Sequence, residues 1–299
     1  MSIEVSQRAD CARLRSLLFC PATNARAVQK MAELRPDAAA LDLEDAVTDE
    51  NKSDARELAR AGVAATGPVR TYVRVNNPST GRTWEDILAV VQPALDGIVL
   101  PKVDDVDTVR AADAWLEAAE RHHGVPVGST RLLILIESAS GIVRATDILQ
   151  ASPRVETAVF GAHDYMLDLG IQGLDHSDGA EELLYARSAL VVAARAAGVA
   201  KPLDGPFLAF REDQKFLDMC KQARVMGFQG KMLIHPRQVE LTHTGFAPSE
   251  AELAMARNML TDFTRAEAEG AAATVSEGRL VDYPIADRAR RILQESSDR

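Results

Sequence analysis

The sequence predicts an α/β chain, a (β/α)8 TIM barrel carrying a C-terminal helical extension or lid. Three observations lead there. Short apolar runs at residues 16–20, 38–43, 70–75, 97–103, 132–136, 156–160, 202–205 and 231–234 alternate with amphipathic stretches, which matches eight strand–helix units in number and length. The runs are apolar on both sides, as strands of a parallel sheet covered on both faces are. No glycine-rich turn follows the first run, so the open doubly wound sheet, the structural alternative, lacks its usual signature.

Taken in order, the helical stretches lie at residues 24–34, 51–65, 84–95, 106–122, 141–150, 181–197 and 212–226. Asn24 is placed to cap the first, and Gly198 to end the one at 181–197. The run at 202–205 is the weakest strand signal. After Ile234-His235-Pro236 the alternation stops. Pro248-Ser249-Glu250 opens a long helix reaching about Gly270, and residues 270–276 are small and read as a hinge. Gly278-Arg279-Leu280-Val281-Asp282-Tyr283-Pro284 then leads into a basic helix from Ile285 to about Gln294. The expected organisation is a barrel over residues 13–240 and a helical lid or oligomerisation segment over 247–299.

Composition narrows the function classes. The chain has 299 residues and a formal net charge of −10, which argues against a nucleic-acid surface. No apolar run approaches the length of a membrane span. Glu4 and Asp10 interrupt the N-terminus, which has no apolar signal core. Cys11, Cys20 and Cys220 cannot all pair within one chain and show no metal-type spacing, so reduced thiols in a cytoplasm are expected.

Chemistry-bearing residues gather at the ends of the apolar runs, where a strand–helix barrel does its work. Glu137 closes the fifth run and Asp164 the sixth; two acids side by side offer hard oxygen ligands to a divalent cation. Leu41-Asp42-Leu43-Glu44-Asp45 crowds three acids at the second, with alternation placing Asp42 and Glu44 on one face and Asp45 on the other. An N-cap cluster is the plainer use of Asp45. Crowded acids need a cation. Arg74 ends the third run, either as their structural counter-ion or as a fork for a substrate carboxylate. Lys102 ends the fourth and either forms a Schiff base or, as the neighbouring acid pair favours, lines the mouth and attracts anions. Alternation turns His163 away from Asp164, and His235 caps a turn or meets phosphate. No nucleophile elbow, Walker loop or dinucleotide fingerprint is present.

Seven segments occur in order: Arg15-Ser16-Leu17-Leu18-Phe19-Cys20-Pro21, Leu41 to Val47, Val73-Arg74-Val75-Asn76, Leu100-Pro101-Lys102-Val103, Ile136-Glu137-Ser138, Phe160-Gly161-Ala162-His163-Asp164-Tyr165, and Gly230-Lys231-Met232-Leu233-Ile234-His235-Pro236. Together, from about residue 13 to 293, they resemble the citrate lyase beta subunit-like CoA-ester lyases of the HpcH/HpaI aldolase superfamily. The resemblance implies that Glu137 and Asp164 ligate Mg²⁺, with Glu137 also facing substrate. It further implies that Arg74 binds a carboxylate or carbonyl oxygen of the substrate, that Glu44 and Asp45 form the acid cluster orienting Arg74 and metal-bound waters, and that Asp282, in the tail placed over a neighbouring subunit, takes part in proton transfer or thioester hydrolysis. A surface Asp capping the last helix is the plainer reading of Asp282. Two departures stand out: Pro21-Ala22 replaces the family's Pro-Gly, and Ser138 replaces its Thr.

The activity so implied is Mg²⁺-dependent cleavage or formation of a 3-hydroxy-3-carboxyacyl-CoA (malyl-, citramalyl- or citryl-CoA), giving acetyl-CoA and a 2-oxo acid. Coenzyme A enters as part of the substrate, and a cytoplasmic homotrimer or homohexamer is expected, with neither nucleic acid nor membrane as partner. An aldolase acting on free hydroxy-acids, or a non-catalytic partner subunit, are the alternatives.

Overall fold

The computed structural model describes residues 13–173, 177 and 179–297. Glu4, Asp10 and Cys11 lie outside the described residues. Two compact units emerge, one up to Gly245 and one from Phe246.

In the first unit, β1 (Ser16–Pro21), β2 (Ala38–Asp42), β3 (Arg70–Arg74), β4 (Gly97–Leu100), β5 (Arg131–Ile136), β6 (Val155–Phe160), β7 (Leu203–Asp204) and β8 (Gly230–Leu233) close a parallel barrel in chain order, β8 pairing with β1. Between them run α1 (Ala25–Gln29), α2 (Met31–Leu34), α3 (Lys52–Ala65), α4 (Thr83–Val90), α5 (Val106–His123), α6 (Ala139–Val143), α7 (Ala145–Gln150), α8 (Ala162–Asp168), α9 (Leu184–Ala197) and α10 (Asp213–Met226), and α11 (Gln238–Gly245) follows β8. The expected strand–helix alternation is therefore present. Two predicted helices, 24–34 and 141–150, are each two short ones. The weak seventh strand is only two residues long.

The barrel is filled, as such barrels are, by inward side chains from successive strands. Leu17, Ala40, Tyr72, Val99, Leu135 and Val159 meet in this core. Alternation along each strand then decides what stands at the mouth. Ala38 and Ala40 point inward, so Asp42 does too; Tyr72 points inward, so Arg74 does; Leu133 and Leu135 point inward, so Glu137 does. Asp42 and Arg74 are direct neighbours in the β2–β3 register.

At the opposite end the buried acids find cationic and N–H donors. Arg15 grips Asp37 through Nε and Nη2, while the Ser16 hydroxyl accepts the Asp37 N–H and meets His243 Nε2 at 2.8 Å. Buried Arg154 forks onto Glu120, whose oxygens also accept the Gly128 and Thr130 N–H groups. A register shift between β5 and β6 accompanies Glu156, which accepts from the Tyr72 hydroxyl and Arg70. Cys20 and Cys220 are buried free thiols.

In the second unit, α12 (Glu250–Ala268) starts at a reciprocal Ser249–Glu252 capping box. The hairpin β9 (Ala273–Ser276) and β10 (Arg279–Asp282) follows, then α13 (Tyr283–Ser297). Met259, Phe263, Val281 and Ala286 form its core. The small-residue stretch expected to be a hinge is thus largely a β-strand: Ala273 to Ser276 pair with Asp282 to Arg279, and that ladder fixes backbone that the side chains alone do not. No helix among the described residues is long and apolar enough to cross a membrane.

Candidate active site at the barrel mouth

Arg74 organises the mouth. Its Nε and Nη2 donate to the two Asp42 oxygens at 2.7 and 2.6 Å, a bidentate fork, and Nη1 lies 3.1 Å from Glu44 Oε2 and 3.2 Å from Asp45 Oδ2. Its guanidinium rides over the Phe19 ring at 5.4 Å. Burial works against the Arg74 charge, but the hydrogen bonds to Asp42 and the charges of Asp42, Glu44 and Asp45 outweigh it and hold its pKa above the ordinary value. The alternation expected to turn Asp45 away does not apply. β2 ends at Asp42, and Asp42 accepts the Glu44 and Ala46 N–H groups, so the chain turns and brings all three acids to one guanidinium. Buried Lys52 on α3 fastens this turn by donating to the Leu43 and Glu44 carbonyls at 2.7 Å each.

Glu44 is the least satisfied group here. It is buried, and neither of its carboxylate oxygens makes a hydrogen bond among the described residues. Burial pushes its carboxyl up to about 7, with Asp45 and Asp42 adding and Arg74 and Lys102 opposing.

Glu137 directly follows β5 and is buried. The Lys102 N–H donates to its Oε1 at 2.7 Å. On the other side stands Gly161, whose bare Cα makes the room: a Cβ there would lie 2.4 Å from Glu137 Oε2. Burial pushes the Glu137 carboxyl up to about 8, reinforced by the charges of Asp164 and Glu44. Asp164 does not end β6 as expected. The strand stops at Phe160, and Asp164 sits in the first turn of α8. His163 is in the same turn, so strand alternation does not orient it. Ser138 caps α6 by accepting the Gly141 N–H at 2.9 Å and also donates to Asp104, which uses the hydroxyl that Ser keeps in place of Thr.

Glu137 and Asp164 share a cavity of about 670 Å³ with Lys102, Ser138, Asn77 and Ser79. Among the described residues, no group of three or more His, Cys, Asp or Glu is arranged as a metal cage. Two carboxylates side by side and open to a polar cavity do fit Mg²⁺, which keeps most of its waters and takes one or two protein carboxylates. The structure therefore brings together Glu44, Asp45, Arg74, Glu137 and Asp164. Asp282 lies in the second unit, where its Oδ1 accepts the Ile285 N–H at the start of α13. Sequence reading missed Gly161, although a glycine between an apolar strand and a candidate ligand was a usable signal. The Lys102 N–H left none.

The profile of the HpcH/HpaI aldolase/citrate lyase family matches residues 15–236. Among relatives, the citrate lyase subunit beta of Leuconostoc mesenteroides is 34% identical over 282 residues, covering 94% of this chain and 92% of its own. The L-malyl-CoA/beta-methylmalyl-CoA lyase of Cereibacter sphaeroides is 33% identical, covering 94% of each. The crystal structure of CitE from Mycobacterium tuberculosis, in complex with magnesium, acetoacetate and coenzyme A, superposes with a TM-score of 0.81 at 29% identity, over 96% of this chain and 99% of that one. The barrel, its acidic mouth and these matches lead to one conclusion: the chain belongs to the HpcH/HpaI aldolase/citrate lyase family and is a carbon–carbon lyase.

Proposed function

We propose that this chain is a Mg²⁺-dependent lyase that cleaves, or in reverse forms, a 3-hydroxy-3-carboxyacyl-CoA such as citramalyl-, malyl- or citryl-CoA, giving acetyl-CoA and a 2-oxo acid. The supporting observation is the pairing of Glu137 and Asp164 in one cavity beside the Arg74-centred acid cluster. The CoA-ester lyase among the relatives, and the neighbour structure with magnesium and coenzyme A, point the same way.

Glu137 and Asp164 would hold the metal; when bound, it polarises the substrate hydroxyl and carboxylate oxygens and lowers the hydroxyl pKa. Glu44, with its carboxyl near 7, is suited to take the hydroxyl proton at neutral pH. As that proton leaves, the hydroxyl carbon becomes the ketone of the 2-oxo acid. The electron pair of the breaking C–C bond passes to the thioester, whose enolate then takes a proton to become acetyl-CoA. Arg74 stabilises negative oxygen once a substrate oxygen displaces exposed Asp45 from Nη1. Exposed Arg26 and Lys30 suit the phosphates of coenzyme A. Asp282 would supply the enolate proton to the mouth of a neighbouring copy in a homotrimer or homohexamer, the 247–299 segment serving as lid; a cytoplasmic location belongs to the same reading.

Steady-state assays with the three CoA esters, with and without EDTA, test the proposal. EDTA-sensitive turnover of at least one ester is expected; metal-independent turnover, or none with any ester, would sink it. Mixing inactive Glu137→Ala and Asp282→Ala chains tests the shared site. Activity should return in mixed oligomers, and its absence removes Asp282 from the chemistry.

A further inference from the structure

We propose that Lys102 is a positioning residue of this site, holding two carboxylate groups apart in function with two different nitrogens. The kinetic part of the inference rests on the lyase reading above; the rest stands on geometry. Lys102 is a non-glycine residue with φ at +51°, a left-handed backbone in which its Cβ is crowded. Such a conformation persists where the surroundings impose it and is concentrated at working sites. Here it lets the two nitrogens diverge. The N–H points at Glu137 Oε1, 2.7 Å away, while Nζ lies 3.4 Å from Glu44 Oε1 and 3.7 Å from Asp45 Oδ1.

The division has a chemical consequence. Glu137 is held by a neutral backbone donor, which fixes the carboxylate without placing a rival cation on it. The ammonium goes instead to Glu44, which has no hydrogen-bond donor of its own, and to Asp45. The acid cluster is thereby kept in register beside Glu137 and Asp164. Because the ammonium shares the cavity with those two acids, it also weakens their hold on a divalent cation. Lys102 exchanges metal affinity for the placement of Glu44.

Lys102→Gly separates these roles: it keeps the N–H, accepts the left-handed backbone and deletes the ammonium. Calorimetric titration with MgCl₂ should show binding about tenfold tighter, as Coulomb's law gives for removing one charge beside a divalent cation in a solvent-like medium. Turnover of the CoA ester should fall about 10- to 100-fold, mostly in kcat rather than KM. The melting temperature should not drop. Lys102→Arg should return both metal affinity and most of the turnover. Tighter metal binding with slower turnover is a pairing that general damage to the site cannot produce. Unchanged or weaker Mg²⁺ binding in Lys102→Gly, or wild-type kcat, would overturn the inference. If the unaltered chain cleaves no CoA ester, the lyase reading fails, and the metal titrations of the two variants still decide the role of Lys102.

Discussion

At the closed end of the barrel, Glu120 is fully buried, yet its pKa is lowered. Burial works against the charge and is outweighed by Arg154 and the Thr130 and Gly128 N–H groups. At the mouth, Glu137 is 4% exposed, nearly as buried, yet its carboxyl is pushed up to about 8. Glu137 is set deeper among protein atoms, which raises it further, and its partners differ as well. The closed end gives each acid a full complement of donors, as Asp37 also finds in His243 and Arg15. The mouth gives Glu137 one N–H and two acidic neighbours, and leaves Glu44 with ion-pair partners but no hydrogen bond. Satisfied buried charge holds a structure in register. Unsatisfied buried charge, open to a cavity, is ready for a ligand.

The largest separation should come from removing the central arginine at each end. Arg74→Met is expected to lower turnover by at least about 10²-fold, because negative oxygen loses its stabilising fork. Arg154→Met should cost stability, about 3–5 kcal/mol for a stranded buried acid, with kcat per folded molecule unchanged. Urea titration alongside kinetics reads both. Equal effects on kcat would erase the contrast between the two ends.

Next in size is Gly161→Ala. The added Cβ would meet both the Cβ and Oε2 of Glu137 well inside contact distance, so the β5 and β6 ends must shift apart, while the Gly161 φ of −91° is itself open to alanine. Mg²⁺ affinity should fall about 10- to 100-fold and stability should drop with it while the secondary structure is kept, and circular dichroism melts beside calorimetry check both halves.

A pH series sharpens the comparison from both sides. Asp37 and Glu120, whose folded values are lowered, contribute stability that is present above the unfolded carboxyl pKa of about 4 and lost as pH falls through the folded values. Glu44 and Glu137, raised to about 7 and about 8, contribute stability that is present below the unfolded value and lost as pH rises toward those numbers. The metal-free melting temperature should therefore fall on both flanks, and Mg²⁺ should lift only the alkaline one. The smallest effect is expected for Phe19→Leu, which removes the ring beneath Arg74 and should cost about 0.5–2 kcal/mol in kcat/KM.

Much of this was legible in the sequence for physical reasons. Apolar runs such as Leu132 to Ile136 are what a buried parallel strand must be, and their carboxyl ends carried Asp42, Arg74 and Glu137 to the mouth. Alternation failed where the chain leaves the strand. Asp45 lies beyond the end of β2, so period-two reasoning misplaced it, and Asp164 lies in the first turn of α8 and does not close the sixth run. The β9–β10 hairpin was hidden because Ala273 and Thr274 carry little pattern of their own. The left-handed turn at Lys102 depends on a neighbour 35 positions away, which no local signal records.

The most direct test is a calorimetric Mg²⁺ titration of the unaltered chain and of Glu137→Gln at pH 7, in two buffers that differ in heat of ionisation. The chain should bind the metal and release protons as it does so, because the Glu137 carboxyl at about 8 must ionise to ligate. Glu137→Gln should lose most of the affinity and the proton release. Undiminished Mg²⁺ binding by Glu137→Gln, or none by the unaltered chain, would contradict a cation held at the barrel mouth.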